Sequence, residues 1–354
     1  MLVAGSKAAG VCPVVVSSRE RSAAWEPIVA PVEPFLETVN LRLAEQVDAF
    51  EPEIAGIVRD ALTHQGKQLR PALVALSAEA TGGLNDSLVT VATIIEIVHV
   101  ATLIHDDVMD EARIRRRRLT LAAQMGNALA VLAGDCLFAH ALQLAAGFPT
   151  PDVCRAVAAA TRTVCSGETL QTLQEGQISL SREEYFRILR MKTAELFALS
   201  CELGAQLSGA GEFEQRALRE YGLALGTAYQ VYDDCLDLFG EERAVGKSLG
   251  TDLAVGKVTL PVIVALERAT AAESAEAREW LGSWQPRHLP KLLEFLDRHG
   301  AFAEAAGVLQ SLCRSARRAL TGLPAGPGVA SLKAVTEYLI QQAAALDGRR
   351  PPAH

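Results

Sequence analysis

Apolar residues recur at helical spacing along almost the whole chain. Leu73, Leu76 and Ala80 show the pattern early in the sequence, and Leu218 and Leu225 show it later. Residues three, four or seven positions apart lie on one face of an α-helix, whereas the period-two alternation of half-buried strands is nowhere convincing. Glycine and proline clusters divide the chain into about ten or more helices. The pattern therefore predicts an all-α fold.

The helical segments follow one another without a domain linker, because no Pro-, Gly- or Ser-rich stretch and no charge block separates them. We expect one large helical bundle over residues 26–344. Residues 1–25 are expected to form a mobile N-terminal extension. Residues 345–354, which contain two arginines and two prolines, are expected to form a disordered tail.

The charge and the cysteine content of the chain argue against some classes of function. The 354 residues carry a net charge of -8 and a pI near 5.5, which argues against general nucleic-acid binding because phosphate backbones require a basic surface. The seven cysteines are scattered without paired spacing, so the sequence predicts neither a disulfide framework nor a zinc site. Reduced cysteines fit a cytoplasmic protein.

The most apolar stretch, residues 88–104, is nearly long enough to span a bilayer. It contains Glu96 and His99, however, and leads directly into Asp106. Ionisable residues are rare inside membrane spans, so we expect a buried helix and no transmembrane segment.

Two acidic clusters share the spacing Asp-Asp-x-x-Asp, and each follows an apolar helical run. The first and last carboxylates of such a cluster lie one helical turn apart and repel each other unless a cation lies between them. Oxygen ligands without histidine or thiolate suit Mg²⁺, which fills its remaining positions with water and substrate phosphates. A solvated helix face would explain one copy, but two copies favour a diphosphate clamp. The predicted metal ligands are Asp106, Asp107, Asp110, Asp233, Asp234 and Asp237.

Cationic residues accompany both acidic clusters. Arg115 and Arg116 follow the first cluster, and their forked guanidinium groups suit bidentate phosphate recognition. Lys247 and Lys257 follow the second cluster in a glycine-rich segment that can bring ammonium groups over an anion. Each cation alone is typical of a protein surface. Together with the aspartates they predict carboxylates around metal ions and cations around phosphates.

These motifs resemble those of the trans-isoprenyl diphosphate synthases, also called polyprenyl synthetases, over about residues 40–340. The matching segments are residues 66–71, 96–99, 106–116, 167–171, 192–193, 230–237, 246–252 and 257–261. The resemblance implies a helical bundle with a central apolar tunnel, and a homodimer whose product is delivered to membranes. It also implies Mg²⁺ as cofactor, about three ions with both substrates bound.

The resemblance further implies roles for individual residues in joining isopentenyl diphosphate to an allylic prenyl diphosphate. Thr193 and Gln230 would offer oxygen dipoles to an allylic cation. The implied catalytic residues are Asp106, Asp110, Asp233, Lys192, Thr193 and Gln230. The residues implied to bind isopentenyl diphosphate are Lys67, Arg70, His99 and Arg116. The residues implied to bind the allylic diphosphate are Arg115, Lys192, Lys247 and Lys257.

Two positions depart from the pattern of the family. Arg117 stands where the family usually has glycine, and Leu119 stands where it usually has proline. Arg117 places a long cation beside the expected substrate pocket. Either change can alter substrate affinity or the conformation of this loop, although all six aspartates and both preceding arginines remain.

Product length is expected to depend on what blocks the tunnel below the first acidic cluster. Thr102 and Ala101 stand four and five positions before Asp106, one turn down the same helical face. Short-chain relatives tend to carry aromatic side chains there, so small residues predict a product of roughly six or more isoprene units. The competing interpretation is that Ala101 is a small core residue at a helix contact.

Other functions share part of this pattern. A shorter-chain synthase making farnesyl or geranylgeranyl diphosphate would carry the same motifs. A class I terpene cyclase would also ionise a prenyl diphosphate with Mg²⁺, but it needs no site for isopentenyl diphosphate. A regulatory subunit of a heteromeric synthase would be expected to carry degraded motifs, whereas both clusters here are complete.

Overall fold

The computed structural model describes residues 24–63, 66–116, 118–240 and 249–347. Most of these residues are helical, which confirms the predicted all-α fold. The strands among them are one short antiparallel pair, β1 (Ile114–Arg115) and β2 (Arg118–Leu119), with Ile114 opposite Leu119.

The helices in these ranges share one connected hydrophobic core. They are α1 (Glu26–Val29), α2 (Glu33–Glu45), α3 (Pro52–Thr63), α4 (Leu69–Glu79), α5 (Asp86–Met109), α6 (Leu121–Met125), α7 (Asn127–Ala146), α8 (Asp152–Leu173), α9 (Arg182–Leu189), α10 (Glu195–Leu207), α11 (Glu212–Phe239), α12 (Thr251–Ala254), α13 (Leu260–Arg268), α14 (Ala271–Leu281), α15 (Leu289–Arg298), α16 (Ala301–Ala319) and α17 (Pro327–Asp347). A π-helical segment, Arg190–Ala194, joins α9 to α10, and 3₁₀ turns cover Ala30–Val32, Gln46–Ala49 and Pro286–His288.

Helices α5 and α11 carry the two acidic clusters at their C-terminal ends. Helix α5 begins where the Asn85 side chain accepts a hydrogen bond from the Leu88 amide, which satisfies one of the free donors of the first turn. The helix is apolar around most of its circumference and is therefore buried, mainly against α7, α2 and α4. Helix α11 packs against α10 and α16.

Two of the described helices, α5 and α7, are long and apolar enough to cross a bilayer, a test that core helices of soluble proteins also pass. In α5, 72% of the most apolar window is buried inside the bundle, as expected for a core helix. In α7 the corresponding share is 39%, so this helix leaves much of its apolar surface uncovered.

Both expected boundaries of the folded domain need adjustment. Trp25, assigned to the mobile extension, is buried, and its ring lies 5.4 Å from that of Tyr338 on α17. Leu346, assigned to the tail, is also buried, in the last turn of α17. Apart from residue 24, the rest of the extension lies outside the described residues, and so does the tail from residue 348 onward.

Candidate active site

One cavity of about 740 Å³ receives side chains from both acidic clusters. Asp106 and Asp110 reach it from the end of α5, and Asp233 reaches it from α11. The two clusters, far apart in the sequence, thus present carboxylates to a common space. All three groups offer oxygen atoms, which are the donors that Mg²⁺ prefers.

The other three aspartates of the clusters are held by protein donors. Asp107 is buried and accepts a hydrogen bond from Arg115 Nε at 2.7 Å. Asp237 is buried and accepts hydrogen bonds from Thr251 Oγ1 at 2.6 Å and the Asp252 amide at 3.2 Å. Asp234 is held in the same way by Tyr185 and Gln230. Of the six predicted metal ligands, Asp106, Asp110 and Asp233 therefore line the large cavity, whereas the other three are buried and do not line it.

Within the described residues, no three His, Cys, Asp or Glu side chains converge closely enough to hold an ion by themselves.

Most of the predicted phosphate-binding cations face the same cavity. They are Arg70, His99, Arg115, Arg116 and Lys192. Lys257 lines an adjoining cavity of about 120 Å³ and donates a hydrogen bond to Asp110 Oδ1 at 2.6 Å. Lys247 lies outside the described residues.

Lys67 is not among the described residues that line the large cavity. It borders a small neighbouring cleft, where its ammonium group donates a hydrogen bond to the Tyr338 hydroxyl at 3.2 Å. Tyr229 lines both spaces. Lys67 therefore lies in a cleft that adjoins the large cavity at Tyr229.

The π-helical segment presents Lys192 and Thr193 to the site. Lys192 Nζ lies 2.5 Å from Glu168 Oε2 and 2.7 Å from Gln171 Oε1, both on α8. Helix α8 approaches closely at Gly167, where an added Cβ would lie 2.6 Å from the Lys192 amide nitrogen. π-helical turns often mark functional sites. Glu168 lies in the matching segment 167–171, but it was not among the predicted site residues.

A hydrogen-bonded chain connects the π-helical segment to α11. Thr193 Oγ1 donates to Gln230 Oε1 at 2.7 Å, and Gln230 Nε2 donates to Asp234 Oδ1 at 2.9 Å. The other Asp234 oxygen accepts from the Tyr185 hydroxyl at 2.5 Å. Tyr185 was not predicted as a site residue. It belongs to no motif, and the helical pattern of α9 indicates an apolar core residue there.

Burial and charge together set the protonation of these groups. Burial raises the pKa of Asp106 to about 6, against the effect of the nearby Lys192. Burial opposes the charged form of Lys192, but Asp106 and Glu168 outweigh it and raise the pKa of the ammonium group. Burial and the charges of Arg70 and Arg116 hold the pKa of His99 well below its usual value. At neutral pH the site therefore holds an ionised Asp106, a charged Lys192 and a neutral His99.

Comparison with known proteins identifies the family. The profile of the polyprenyl synthetase family matches residues 51–296. This chain belongs to the polyprenyl synthetase family. It is therefore a prenyltransferase, a trans-polyprenyl diphosphate synthase.

Individual polyprenyl synthetases match over most of their length. The octaprenyl diphosphate synthase of Haemophilus influenzae is 33% identical over 293 residues, which cover 82% of this chain and 89% of that protein. A short chain isoprenyl diphosphate synthase of Methanothermobacter thermautotrophicus is 32% identical over 313 residues, covering 87% and 96%. A crystal structure of polyprenyl synthase from Caulobacter crescentus CB15, complexed with calcium and isoprenyl diphosphate, is similar with a TM-score of 0.83 and 32% identity, covering 89% and 97%.

One of the two departures from the polyprenyl synthetase pattern, Leu119, lies in the β-hairpin beside the cavity. Leu119 forms part of β2 opposite Ile114, and both side chains are exposed, at 54% and 58%. Arg117 lies outside the described residues. Arg118, the next residue, pairs with Asp60 on α3 at 3.1 Å.

Part of the cavity wall is largely apolar, as a prenyl chain requires. Thr102, Phe138, Val164 and Leu196 contribute to it from α5, α7, α8 and α10. Ala101, the second residue predicted to set product length, is fully buried and is not part of the described lining. The competing interpretation of Ala101 as a small core residue is therefore the one that the structure supports.

Proposed function

We propose that this polyprenyl synthetase uses Mg²⁺ to condense isopentenyl diphosphate with an allylic prenyl diphosphate, giving a product of medium to long chain. The observation that carries the proposal is one cavity with Asp106, Asp110 and Asp233 at its polar end and an apolar wall beyond. Diphosphates match the charged end, and a growing prenyl chain matches the apolar wall.

Divalent ions fit this donor set, and Asp106, Asp110 and Asp233 would hold them. Bound there, Mg²⁺ would act as a Lewis acid that stabilises the negative charge of the leaving diphosphate. Lys192 and Arg115 would place cationic donors on the same group, since both line the cavity.

Arg70, His99 and Arg116 would bind the diphosphate of isopentenyl diphosphate. Arg70 Nε is buried without a hydrogen-bond partner among the described residues, so this donor is available to a phosphate oxygen. The Arg70 guanidinium lies 5.0 Å from the centre of the Phe197 ring, which fixes its position. A terpene cyclase would need no such second anion site.

The reaction would begin when the allylic carbon–oxygen bond breaks, giving an allylic cation and pyrophosphate. The double bond of isopentenyl diphosphate then attacks the cation, and a proton leaves to the departing pyrophosphate. Thr193 and Gln230 would face the cation with oxygen atoms, because both line the cavity near Asp233. Fixed dipoles and charges of this kind stabilise charge as it develops.

We also propose that the enzyme is a homodimer. Leu129, Val131 and Leu132 in the first turns of α7 are exposed by 45%, 38% and 59%, and Met125 on α6 by 45%. Large exposed apolar side chains this close together in the chain are what an interaction site would offer. A second copy of the chain can cover this surface without any other protein. The alternative is a different chain, as in a heteromeric synthase.

The function is tested by incubating the purified protein with labelled isopentenyl diphosphate and four primers, with and without Mg²⁺. The primers are dimethylallyl, geranyl, farnesyl and geranylgeranyl diphosphate. We expect Mg²⁺-dependent formation of prenyl diphosphates longer than geranylgeranyl diphosphate.

Replacing Asp106 or Asp233 by Ala should lower kcat by about 100-fold or more, because each removes a group that holds the metal against the leaving group.

The matched control is Asp48→Ala, which removes an exposed carboxylate from the 3₁₀ turn after α2. This variant should keep wild-type turnover. Turnover without Mg²⁺, or near-normal activity of Asp106→Ala, would refute the proposed metal site. A cyclic hydrocarbon product would indicate a terpene cyclase. Activity that requires a second, different chain would indicate a heteromeric synthase.

A further inference from the structure

Tyr185 lies in the first turn of α9, outside every motif of the site. Its position is fixed by the preceding residues, because Ser181 and Glu184 form a reciprocal capping box at the start of the helix. The side chain is only 3% exposed, and its hydroxyl donates a hydrogen bond to Asp234 Oδ2 at 2.5 Å. Tyr185 and Asp234 both line the smaller cavity beside the catalytic one.

The chemistry of Asp234 determines how the neighbouring amide of Gln230 is oriented. In the structure both oxygens of Asp234 accept hydrogen bonds, one from the Tyr185 hydroxyl and the other from the Gln230 side chain, which turns its NH₂ group toward Asp234. The distance of 2.9 Å from Gln230 Nε2 to Asp234 Oδ1 fits this arrangement. The amide oxygen is then left to face Thr193, whose hydroxyl donates to it at 2.7 Å.

We propose that Tyr185 is a positioning residue: by holding Asp234 it fixes the Gln230 amide with its oxygen, rather than its NH₂ group, toward the reacting carbon. This inference rests on the proposed function, since only a cationic intermediate would discriminate between the two ends of the amide. It gives Asp234 a role in orienting Gln230 and leaves Asp233 as the residue of the second cluster that faces the metal site.

The arrangement explains why the second cluster places two adjacent aspartates on α11. Asp233 lines the large cavity, whereas Asp234 is 4% exposed and points to α9. Both Asp234 oxygens already accept a protein hydrogen bond. Consecutive helical residues point about 100° apart. Asp233 can therefore face the substrate while Asp234 binds the neighbouring helix.

The test compares Tyr185→Phe with Asp234→Asn in the full-length enzyme. Tyr185→Phe should lower kcat about 10-fold, as is usual when an outer hydrogen-bond partner of a site is removed. KM for both diphosphates and the Mg²⁺ concentration giving half-maximal rate should stay within about 2-fold of wild type, because no substrate or metal contact is lost.

Asp234→Asn should lower kcat further, about 100-fold, because an amide at this position can donate to Gln230 and allow its side chain to reverse. The double variant should be no slower than Asp234→Asn alone, since both changes act through the same chain. Because Asp234→Asn keeps the size of the side chain, it also serves as the test if Tyr185→Phe fails to fold.

Tyr221→Phe is the matched control. Tyr221 is also fully buried on a helix of the site, and its hydroxyl donates to the Leu332 carbonyl at 2.7 Å, away from the cavity. This variant loses one buried hydrogen bond and should keep wild-type kcat. Loss of kcat in Tyr185→Phe but not in Tyr221→Phe supports the inference.

Wild-type kcat in Tyr185→Phe, additive losses in the double variant, or an increased Mg²⁺ requirement in Asp234→Asn would overturn the inference. The last result would make Asp234 a metal ligand. These outcomes differ from failure of the proposed function, in which the wild-type enzyme itself would make no prenyl diphosphate from the primers and Mg²⁺.

Discussion

Ala101 and Thr102 are neighbours in the sequence but have different surroundings. Thr102 lines the cavity, and its hydroxyl donates to the His99 carbonyl at 2.7 Å. Ala101 is fully buried at a helix contact. Adjacent helical residues point about 100° apart, so a tunnel on one side of α5 can meet only one of the two. At the residue scale, we therefore expect Thr102, rather than Ala101, to be the residue of α5 that controls product length.

Thr102→Phe should shorten the product, because the ring would fill the apolar part of the cavity below Asp106. Ala101→Phe should instead lower the free energy of unfolding by about 1–3 kcal/mol, because it adds a large side chain to a packed core. Chromatography of the labelled products and urea unfolding separate the two effects. A stable Ala101→Phe enzyme with shorter products would place the tunnel floor at Ala101 after all.

Residue spacing predicted the two acidic clusters and most of the cations around them, and the family resemblance singled out Asp106, Asp110 and Asp233. Neither showed that Asp107, Asp234 and Asp237 are buried away from the large cavity. Tyr185 reaches Asp234 from 49 residues away, and Thr251 reaches Asp237 from 14 residues away. Sequence motifs record which side chains are present, whereas burial and hydrogen bonding decide which of them remain available to a ligand.

At the scale of elements, the π-helical segment is the least regular part of the site. Helices α9 and α10 continue through Arg190–Ala194, where Lys192 turns toward α8 and Thr193 toward α11. Helical periodicity predicted a helix here, but a π turn leaves no distinct apolar pattern. The close approach of α8 at Gly167 is a tertiary feature that the sequence showed only as a glycine within a motif.

Gly167→Ala should disturb this element, because the new methyl group would lie 2.6 Å from the Lys192 amide nitrogen, a backbone atom. We expect a loss of about 1–3 kcal/mol in the free energy of unfolding. We also expect kcat to fall about 10-fold or more as Lys192 and Thr193 move from their positions. Urea unfolding and steady-state kinetics measure the two losses.

Gly56→Ala is the control, since Gly56 lies within α3 and an added Cβ meets nothing within 4 Å. That variant should have a free energy of unfolding higher by about 0.5–1 kcal/mol, because alanine favours helix more than glycine does. It should therefore unfold at a higher urea concentration. Equal behaviour of the two variants would show that the contact at Gly167 has no special role.

At the scale of the whole molecule, one helical bundle was predictable because the apolar period persists without a linker. The boundaries were not, since Trp25 and Leu346 are buried only through contacts with distant helices. The surface of the bundle also shows an uneven distribution of apolar residues. Val131 on α7 and Leu173 on α8 line the cavity and are exposed by 38% and 66%, so the cavity wall reaches the apolar surface of α7.

If a second copy covers α7, it closes this side of the cavity, and oligomeric state and product length become linked. Leu132→Glu should then convert the dimer into a monomer at micromolar concentration, because a carboxylate would be buried in an apolar interface without a partner. Phe213→Glu, which replaces a similarly exposed side chain at the start of α11, should leave the dimer intact. Sedimentation equilibrium measures the mass of each variant, and a monomeric wild-type protein would refute the homodimer. Because the monomer would leave Val131 and Leu173 open to water, its products should also be less uniform in length than those of the dimer.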